Sequence, residues 1–376
     1  MSFRSGSLLL AFIVLLPACE GRDSQIGTLD LTDILGGEAA EGFEQAVDIR
    51  QFHFPGDHGS HPGFRNEWWY FTGNLNTEDD RHFGYQITFF RTSLKPGRTS
   101  DPKSKWMIQD IWMAHVAVTD IQTEKHYSKQ RFSRGGPSLA GVSLDPVKMW
   151  LDDWQVVGRG NDFPWQVSVR TDEFSLQLSL TAAKPPVLQG DQGLSRKSTA
   201  PGNASYYYSY SRLHTKGKVR IGNRDHAVTG SSWFDREWST SSLDAGQTGW
   251  DWFSLQFESG EDLMYYQLRD KKGFADGNSQ GSWIDGMGIK TRIEENHMQL
   301  EVLKEWQTAA GQQYPTRWQM DYLDQRWIIQ AAVEDQFMDL AVPYWEGAVE
   351  IYDPESLDLV GRGYLEMTRI NARSRR

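Results

Sequence analysis

The sequence predicts an all-β protein built as two consecutive antiparallel β-barrels. Three observations carry that expectation: apolar and polar residues alternate with period two, turn clusters recur at short intervals, and one aromatic hairpin occurs twice. Phe174, Leu176, Leu178 and Leu180 alternate with Ser175, Gln177, Ser179 and Thr181. Tyr85, Ile87 and Phe89 repeat the pattern, as do Phe253, Leu255 and Phe257. Side chains of a strand point alternately to its two faces, so these segments read as half-buried antiparallel strands. Asn74-Leu75-Asn76, Glu258-Ser259-Gly260 and Asp270-Lys271-Lys272-Gly273 supply the turns between them. Helical spacing is confined to a possible short piece over Leu300 to Gln307 and another around Asp33 to Gln45.

The repeat divides the chain. Trp68-Trp69-Tyr70-Phe71 is followed by Tyr85-Gln86-Ile87, and Trp250-Asp251-Trp252-Phe253 by Tyr266-Gln267-Leu268. The intervals from first Trp to Tyr are 85 − 68 = 17 and 266 − 250 = 16 residues. Each half therefore opens with an equivalent hairpin, and the halves join near His226 to Gly230. This gives an N-terminal domain over 46–228 and a C-terminal domain over 229–376, since one core rarely serves so long a chain.

The N-terminus reads as an export signal. Arg4 precedes the apolar run Leu8 to Leu16, which is too short to span a bilayer but suits a secretory signal. It ends in Leu16-Pro17-Ala18-Cys19, a lipobox that makes 1–18 the signal peptide and Cys19 the lipid attachment point. Cys19 is the single cysteine, so the fold uses no internal disulfide despite export. Residues 19–45 are small, polar and acidic and form a flexible tether. Glu20 rather than Asp after the cysteine favours the outer membrane, facing the periplasm.

The net charge is −11, from 39 basic and 50 acidic residues; removing Arg4 with the signal leaves 38 − 50 = −12. So acidic a surface argues against nucleic-acid partners and against electrostatic binding to anionic membranes. The chain holds 16 Trp, 14 Tyr and 18 Phe. Runs such as Tyr206-Tyr207-Tyr208 send neighbours to both faces of a strand, more aromatic surface than one core needs. An aromatic-lined cavity or inter-domain cleft accounts for the excess. Carboxylates stand among these aromatics: Asp235 and Glu237 between Trp233 and Trp238, and Asp251 between Trp250 and Trp252. Two roles are open to them. Asp235-Arg236-Glu237 could form a carboxylate–arginine lock at the junction of the barrels, or it could carry acid–base chemistry. By alternation Asp251 lies on the face of Phe253 and Leu255, where a carboxylate needs a partner, with Arg236 a candidate.

His53, His58 and His61 with Asp57 have the composition of a metal site but read better as loop residues before the first strand. His115 reads as a satisfied core histidine. No metal or other cofactor is expected. A convincing nucleophile elbow is lacking, and no phosphate loop is present.

Four ordered motifs resemble the AttH-like and carotenoid 1,2-hydratase family: Asn66-Glu67-Trp68-Trp69-Tyr70-Phe71-Thr72-Gly73, Gly230-Ser231-Ser232-Trp233-Phe234-Asp235-Arg236-Glu237-Trp238, Gly249-Trp250-Asp251-Trp252-Phe253, and Tyr344-Trp345-Glu346-Gly347 with Gly361-Arg362-Gly363-Tyr364-Leu365-Glu366. The resemblance implies two tandem lipocalin-like domains and, for the AttH-like branch, association with ABC-transporter components. For the hydratase branch it implies hydration of a terminal carbon–carbon double bond. That chemistry needs a protonated carboxyl and aromatic faces to stabilise the cation. The hydratases are expected to carry a Tyr-x-Asp site near Tyr265-Tyr266; here Gln267 and Leu268 follow instead.

Two functional expectations result. The favoured one is an exported lipoprotein that binds an apolar, lipid-like ligand and supports an ABC transporter. The alternative is an acid–base hydratase or hydrolase acting on a polyene or lipid-like substrate, with Asp235, Glu237 and Asp251 as catalytic candidates. Trp68, Tyr70, Trp233, Trp238, Trp250, Trp252 and Tyr266 are the ligand-contacting candidates in both.

Overall fold

In a computed structural model, residues 41–96, 108–136, 138–160, 162–241, 243–244 and 246–368 are described. The signal peptide, Cys19 and the tether up to residue 40 lie outside them, and 41–45 begin with a turn rather than a helix. Thirteen strands form the first sheet: β1 (Asn66–Asn76), β2 (His82–Ser93), β3 (Asp110–Asp120), β4 (Lys125–Arg134), β5 (Ala140–Leu144), β6 (Val147–Leu151), β7 (Trp154–Arg159), β8 (Asp162–Arg170), β9 (Phe174–Ala182), β10 (Val187–Leu188), β11 (Leu194–Arg196), β12 (Ala204–Ile221) and β13 (Arg224–Ser239). Ten form the second: β14 (Gln247–Phe257), β15 (Asp262–Asp270), β16 (Gln280–Ile284), β17 (Lys290–Glu294), β18 (Met298–Gln307), β19 (Gln313–Tyr322), β20 (Gln325–Ala331), β21 (Phe337–Met338), β22 (Tyr344–Tyr352) and β23 (Leu359–Met367). All pairing within the sheets is antiparallel. The first sheet curls into a nearly closed barrel and the second into a half-barrel.

The sequence repeat is a topological repeat. β1 lies between its hairpin partner β2 and the last strand of its sheet, β13; β14 lies likewise between β15 and β23. Trp68 pairs with Phe90 in one hairpin and Trp250 with Leu268 in the other. The boundary at 228/229 is corrected. β13 runs unbroken from Arg224 and registers against β1 from Asn76↔Thr229 to Asn66↔Ser239. The motif Gly230 to Trp238 therefore closes the first barrel instead of opening the second, and the division falls between Ser239 and Gln247. The helical reading of Leu300 to Gln307 is also corrected. This segment is β18, and register shifts at Val302/Lys304 and Lys304/Glu305 interrupt its alternation so that it imitates helical spacing.

Each barrel has its own apolar core. Trp69, Phe71, Ile87 and Phe234 belong to the first; Phe253, Leu255, Trp318 and Leu365 belong to the second. A third cluster, including Tyr70, Tyr207, Trp233, Trp252 and Tyr266, lies between the barrels. The sheets pack with β1, β2, β12 and β13 against β14, β22 and β23, and the odd-even alternation of these strands decides which side chains meet there. They approach closely at Gly84, where a Cβ would stand 2.7 Å from that of Ala348. Gly84→Ala is therefore expected to separate the sheets locally and cost about 1–3 kcal/mol, read as a lower denaturation midpoint with an unchanged slope. An unaffected midpoint would mean that the two sheets do not bear on each other there.

Candidate functional site

The inter-barrel layer holds an aromatic, acidic cavity of about 80 Å³. Alternation on β13 directs Trp233, Asp235 and Glu237 toward it and Phe234, Arg236 and Trp238 into the first barrel. Trp68 and Tyr70 arrive from β1, Tyr207 from β12, Trp250 and Trp252 from β14, Tyr266 from β15 and Glu366 from β23. One wall thus belongs to each sheet.

Asp235 is 3% exposed. Its Oδ1 accepts from Ser209 Oγ at 2.5 Å and Trp233 Nε1 at 2.7 Å, and its Oδ2 accepts from Tyr207 OH at 2.7 Å. Trp252 Nε1 donates to the Tyr207 oxygen at 3.2 Å, extending the network to the second barrel. Burial pushes the Asp235 carboxyl up to about 7, against the pull of its three donors. Among the described residues Glu366 accepts one hydrogen bond, from Trp250 Nε1 at 2.7 Å. It keeps part of its surface open and lines the cavity. Burial raises it to about 7, with Asp235 and Glu237 adding repulsion. Glu237 is neutralised locally: Ser205 Oγ donates to its Oε1, and Lys197 Nζ lies 3.4 Å from the same atom. Lys197 also sits 3.8 Å from the centre of the Tyr266 ring. Burial disfavours its charge, but Glu237 and Tyr266 outweigh that and hold the ammonium above its usual range.

The two cavity carboxyls that hold their protons above the usual carboxylate range are therefore Asp235 and Glu366, one from each barrel. Both titrate far above an unfolded carboxyl, so the folded state binds more protons than the unfolded state between about pH 4 and 7. Stability should fall as pH rises through that window, by on the order of 4 kcal/mol per group at most. A melting temperature that falls from about pH 5 to pH 8, and falls less in Asp235→Asn, is the expected result; a flat profile would show that neither group is protonated in the fold.

Five of the seven aromatic candidates, Trp68, Tyr70, Trp250, Trp252 and Tyr266, line the cavity. Trp233 stands behind it and orients Asp235. Trp238 lies on the other face of β13, inside the first barrel, its ring stacked 3.8 Å from His61. Asp235 and Glu237 share the cavity, whereas Asp251 faces the interior of the second barrel and forms an ion pair with Arg269. The expected Arg236–Asp251 pairing and the Asp235-Arg236-Glu237 lock are both corrected, because strand alternation places Arg236 opposite to these carboxylates. It binds Glu67 and donates to Gly59 O at 2.6 Å. His58 bonds Tyr208 at 2.6 Å and His61 pairs with Asp57 and Glu67, all within the first barrel. His115, fully buried, meets Tyr344 OH at 2.9 Å across the inter-barrel layer.

Glu366, Lys197 and Tyr207 were not among the expected site residues. Glu366 carried a readable signal, since it alternates with the apolar Leu365 and Met367 on a strand of the closing motif. Lys197 follows a three-residue strand in a loop and carried none.

The fold and the cavity define a class: paired barrels whose packed outer faces enclose an aromatic, acidic site. Within it, this chain belongs to the AttH-like family, whose model matches residues 45–369. A crystal structure of an AttH-type protein from Nitrosomonas europaea is 31% identical, with a TM-score of 0.78, covering 88% of this chain and all of that one. Kievitone hydratase from Nectria haematococca shares the fold at 12% identity and a TM-score of 0.64, covering 88% and 97% of the two chains. CghA does so at 11% identity and 0.52, covering 90% and 98%. A comparison with curated proteins gives no match.

Proposed function

We propose that this protein is a hydratase that adds water across a carbon–carbon double bond of an isoprenoid or other lipid-like substrate, at the cavity between its barrels. The observation that carries the reading is the pairing of Asp235 and Glu366, two buried carboxyls from different barrels lining one aromatic cavity. Their mutual repulsion in a dry site favours a state with one proton between them. Asp235 has three donors to support a charge and Glu366 has one, so the proton resides on Glu366.

In the forward reaction Glu366 transfers its proton to one alkene carbon, and the π pair becomes the new C–H bond. The cation left on the other carbon faces Trp68, Trp250 and Trp252, whose rings stabilise positive charge. Water attacks it, its oxygen forms the C–O bond, and Asp235 accepts the proton released. Return of that proton from Asp235 to Glu366 restores the site. The fold shared with kievitone hydratase supports this chemistry. So does the cavity's size, since about 80 Å³ is well below the roughly 300–1,000 Å³ that houses a whole drug-sized ligand. The reacting end of a longer molecule suits it better than stored cargo does, which places the alternative expectation ahead of carriage.

Anchoring through Cys19, a periplasmic outer-membrane location and service to an ABC transporter rest on the sequence reading and belong to this proposal. Among the described residues no helix is long and apolar enough to cross a membrane. The test is incubation of the protein with a panel of isoprenoid polyenes in heavy-oxygen water, followed by mass spectrometry. One labelled oxygen per product is expected; recovery of every polyene unlabelled would sink the reading.

A further inference from the structure

Glu346 is a buried carboxyl, next to the cavity, that the reaction above leaves unused. It stands directly opposite Glu366 in the β22–β23 ladder, so the two side chains project from the same face of the second sheet as nearest cross-strand neighbours. It is 0% exposed, and neither of its oxygens has a hydrogen-bond partner among the described residues. The titratable groups around it are Tyr70 from β1, Tyr344 from its own strand and Tyr364 and Glu366 from β23. His115 lies one step further, on Tyr344, while Asp235 and Glu237 of β13 act on Glu366. No cation is among these neighbours. The hydroxyls of Tyr70 and Tyr344 lie against the Glu346 carboxyl, outside ideal bonding distance, and that of Tyr364 has no partner among the described residues.

Burial and the neighbouring Glu366 hold the Glu346 proton against the pull of the Tyr70 and Tyr344 hydroxyls, because with no cation beside it the ionised form would be neither solvated nor ion-paired. A protonated acid beside Glu366 has one evident use. When Glu366 loses its proton it becomes a carboxylate in an apolar cavity, and an adjacent O–H can donate to it; such charge-assisted bonds are short and strong.

We propose that Glu346 is a positioning acid: it donates a hydrogen bond to Glu366 in the ionised state, so that the two carboxyls hold one negative charge as a unit. This rests on the reading of Glu366 as the proton donor of the cavity, but it can be tested without turnover. The experiment is infrared titration of the carboxyl C=O stretch in the full chain, in an Asp235→Asn background that leaves Glu366 as the cavity acid titrating near neutrality. Glu346→Leu, which removes the donor, is expected to raise the Glu366 midpoint by about one pH unit or more. Glu346→Gln, which still presents an N–H donor, should restore the midpoint to within about half a unit of the parent. An unchanged midpoint in Glu346→Leu would overturn the proposal by showing no interaction. A lowered one would overturn it by showing that Glu346 is ionised and repels its neighbour. If the leucine variant does not fold, Glu366→Gln gives the complementary reading. The Glu346 band should then persist above neutrality, and its loss near neutrality would overturn the proposal. Absence of hydration in the labelling assay, with these shifts intact, would remove the hydratase reading and leave the carboxyl pair standing.

Discussion

Glu67→Leu is expected to destabilise the protein by roughly 3–5 kcal/mol, the usual cost of leaving a buried charge without its partner. Glu67 and Arg236 are both 0% exposed and form an ion pair inside the first barrel. Arg91 Nε reaches the same carboxylate at 2.6 Å, and His61 N donates to both of its oxygens at 2.9 Å. Burial alone would raise the Glu67 carboxyl, but Arg91 and Arg236 hold it well below the usual carboxylate range. Leucine fills the space yet leaves Arg236, sandwiched over the rings of Trp69 and Trp238 at 4.0 and 4.8 Å, without a carboxylate. Arg91 retains Asp110 at 2.7 Å, so the loss concentrates on Arg236. The double variant Glu67→Leu, Arg236→Met should recover most of the stability, since a buried pair replaced whole by apolar groups is often close to neutral. Chemical denaturation of the three proteins checks this. A single-variant loss below about 1 kcal/mol would show the pair to be hydrated and dispensable.

Asp235→Asn and Glu366→Gln are each expected to reduce hydration by about 10²–10⁴-fold while the fold is retained, the range attributed to one positioned general acid or base. Asparagine keeps an acceptor for Trp233 Nε1 and Ser209 Oγ and turns only the Tyr207 contact round, its amide N–H donating to the hydroxyl that donates to Asp235 Oδ2, and glutamine keeps an acceptor for Trp250 Nε1, so most of the hydrogen-bond frame is retained. What each removes is a proton at one stage of the cycle. Both carboxyls are raised to about 7; with one proton divided between them and resting on Glu366, as the proposed reaction requires, the rate should peak near neutrality. It should fall at lower pH as Asp235 is protonated and at higher pH as Glu366 is ionised. A rate that rises steadily with pH would point to a base alone.

Much of this site was legible in the sequence because strand alternation is a local property. Trp233, Asp235 and Glu237 share a face by parity, as do Trp68 and Tyr70, and the repeat of the aromatic hairpin announced two barrels. The same parity separates Trp238 and Arg236 from that face, which the grouping of Trp233 to Trp238 as one cluster obscured. Asp251 was placed on the correct face of its strand, but which face meets the other barrel is decided by packing. Phe253 and Leu255 prove to be the interior of the second barrel, and Trp250 and Trp252 its outer face. Glu366 acquires its role from contact with the other sheet, more than a hundred residues away in the chain, and Glu346 from its register opposite Glu366, for neither of which a local pattern exists. The domain boundary was misplaced for a related reason: the motif from Gly230 to Trp238 is rich in aromatics like an opening hairpin, yet it pairs with β1 as a closing strand.

In the proposed reaction an acid from one barrel and a base from the other act together in the cavity between them. The most direct test compares heavy-oxygen incorporation into an isoprenoid polyene by the parent protein, Asp235→Asn, Glu366→Gln and the double variant. Residues that act as a unit are non-additive, so the double variant should be no slower than the slower single variant. Incorporation at the parental rate in either single variant would contradict the claim, because it would show that the reaction does not need both carboxyls.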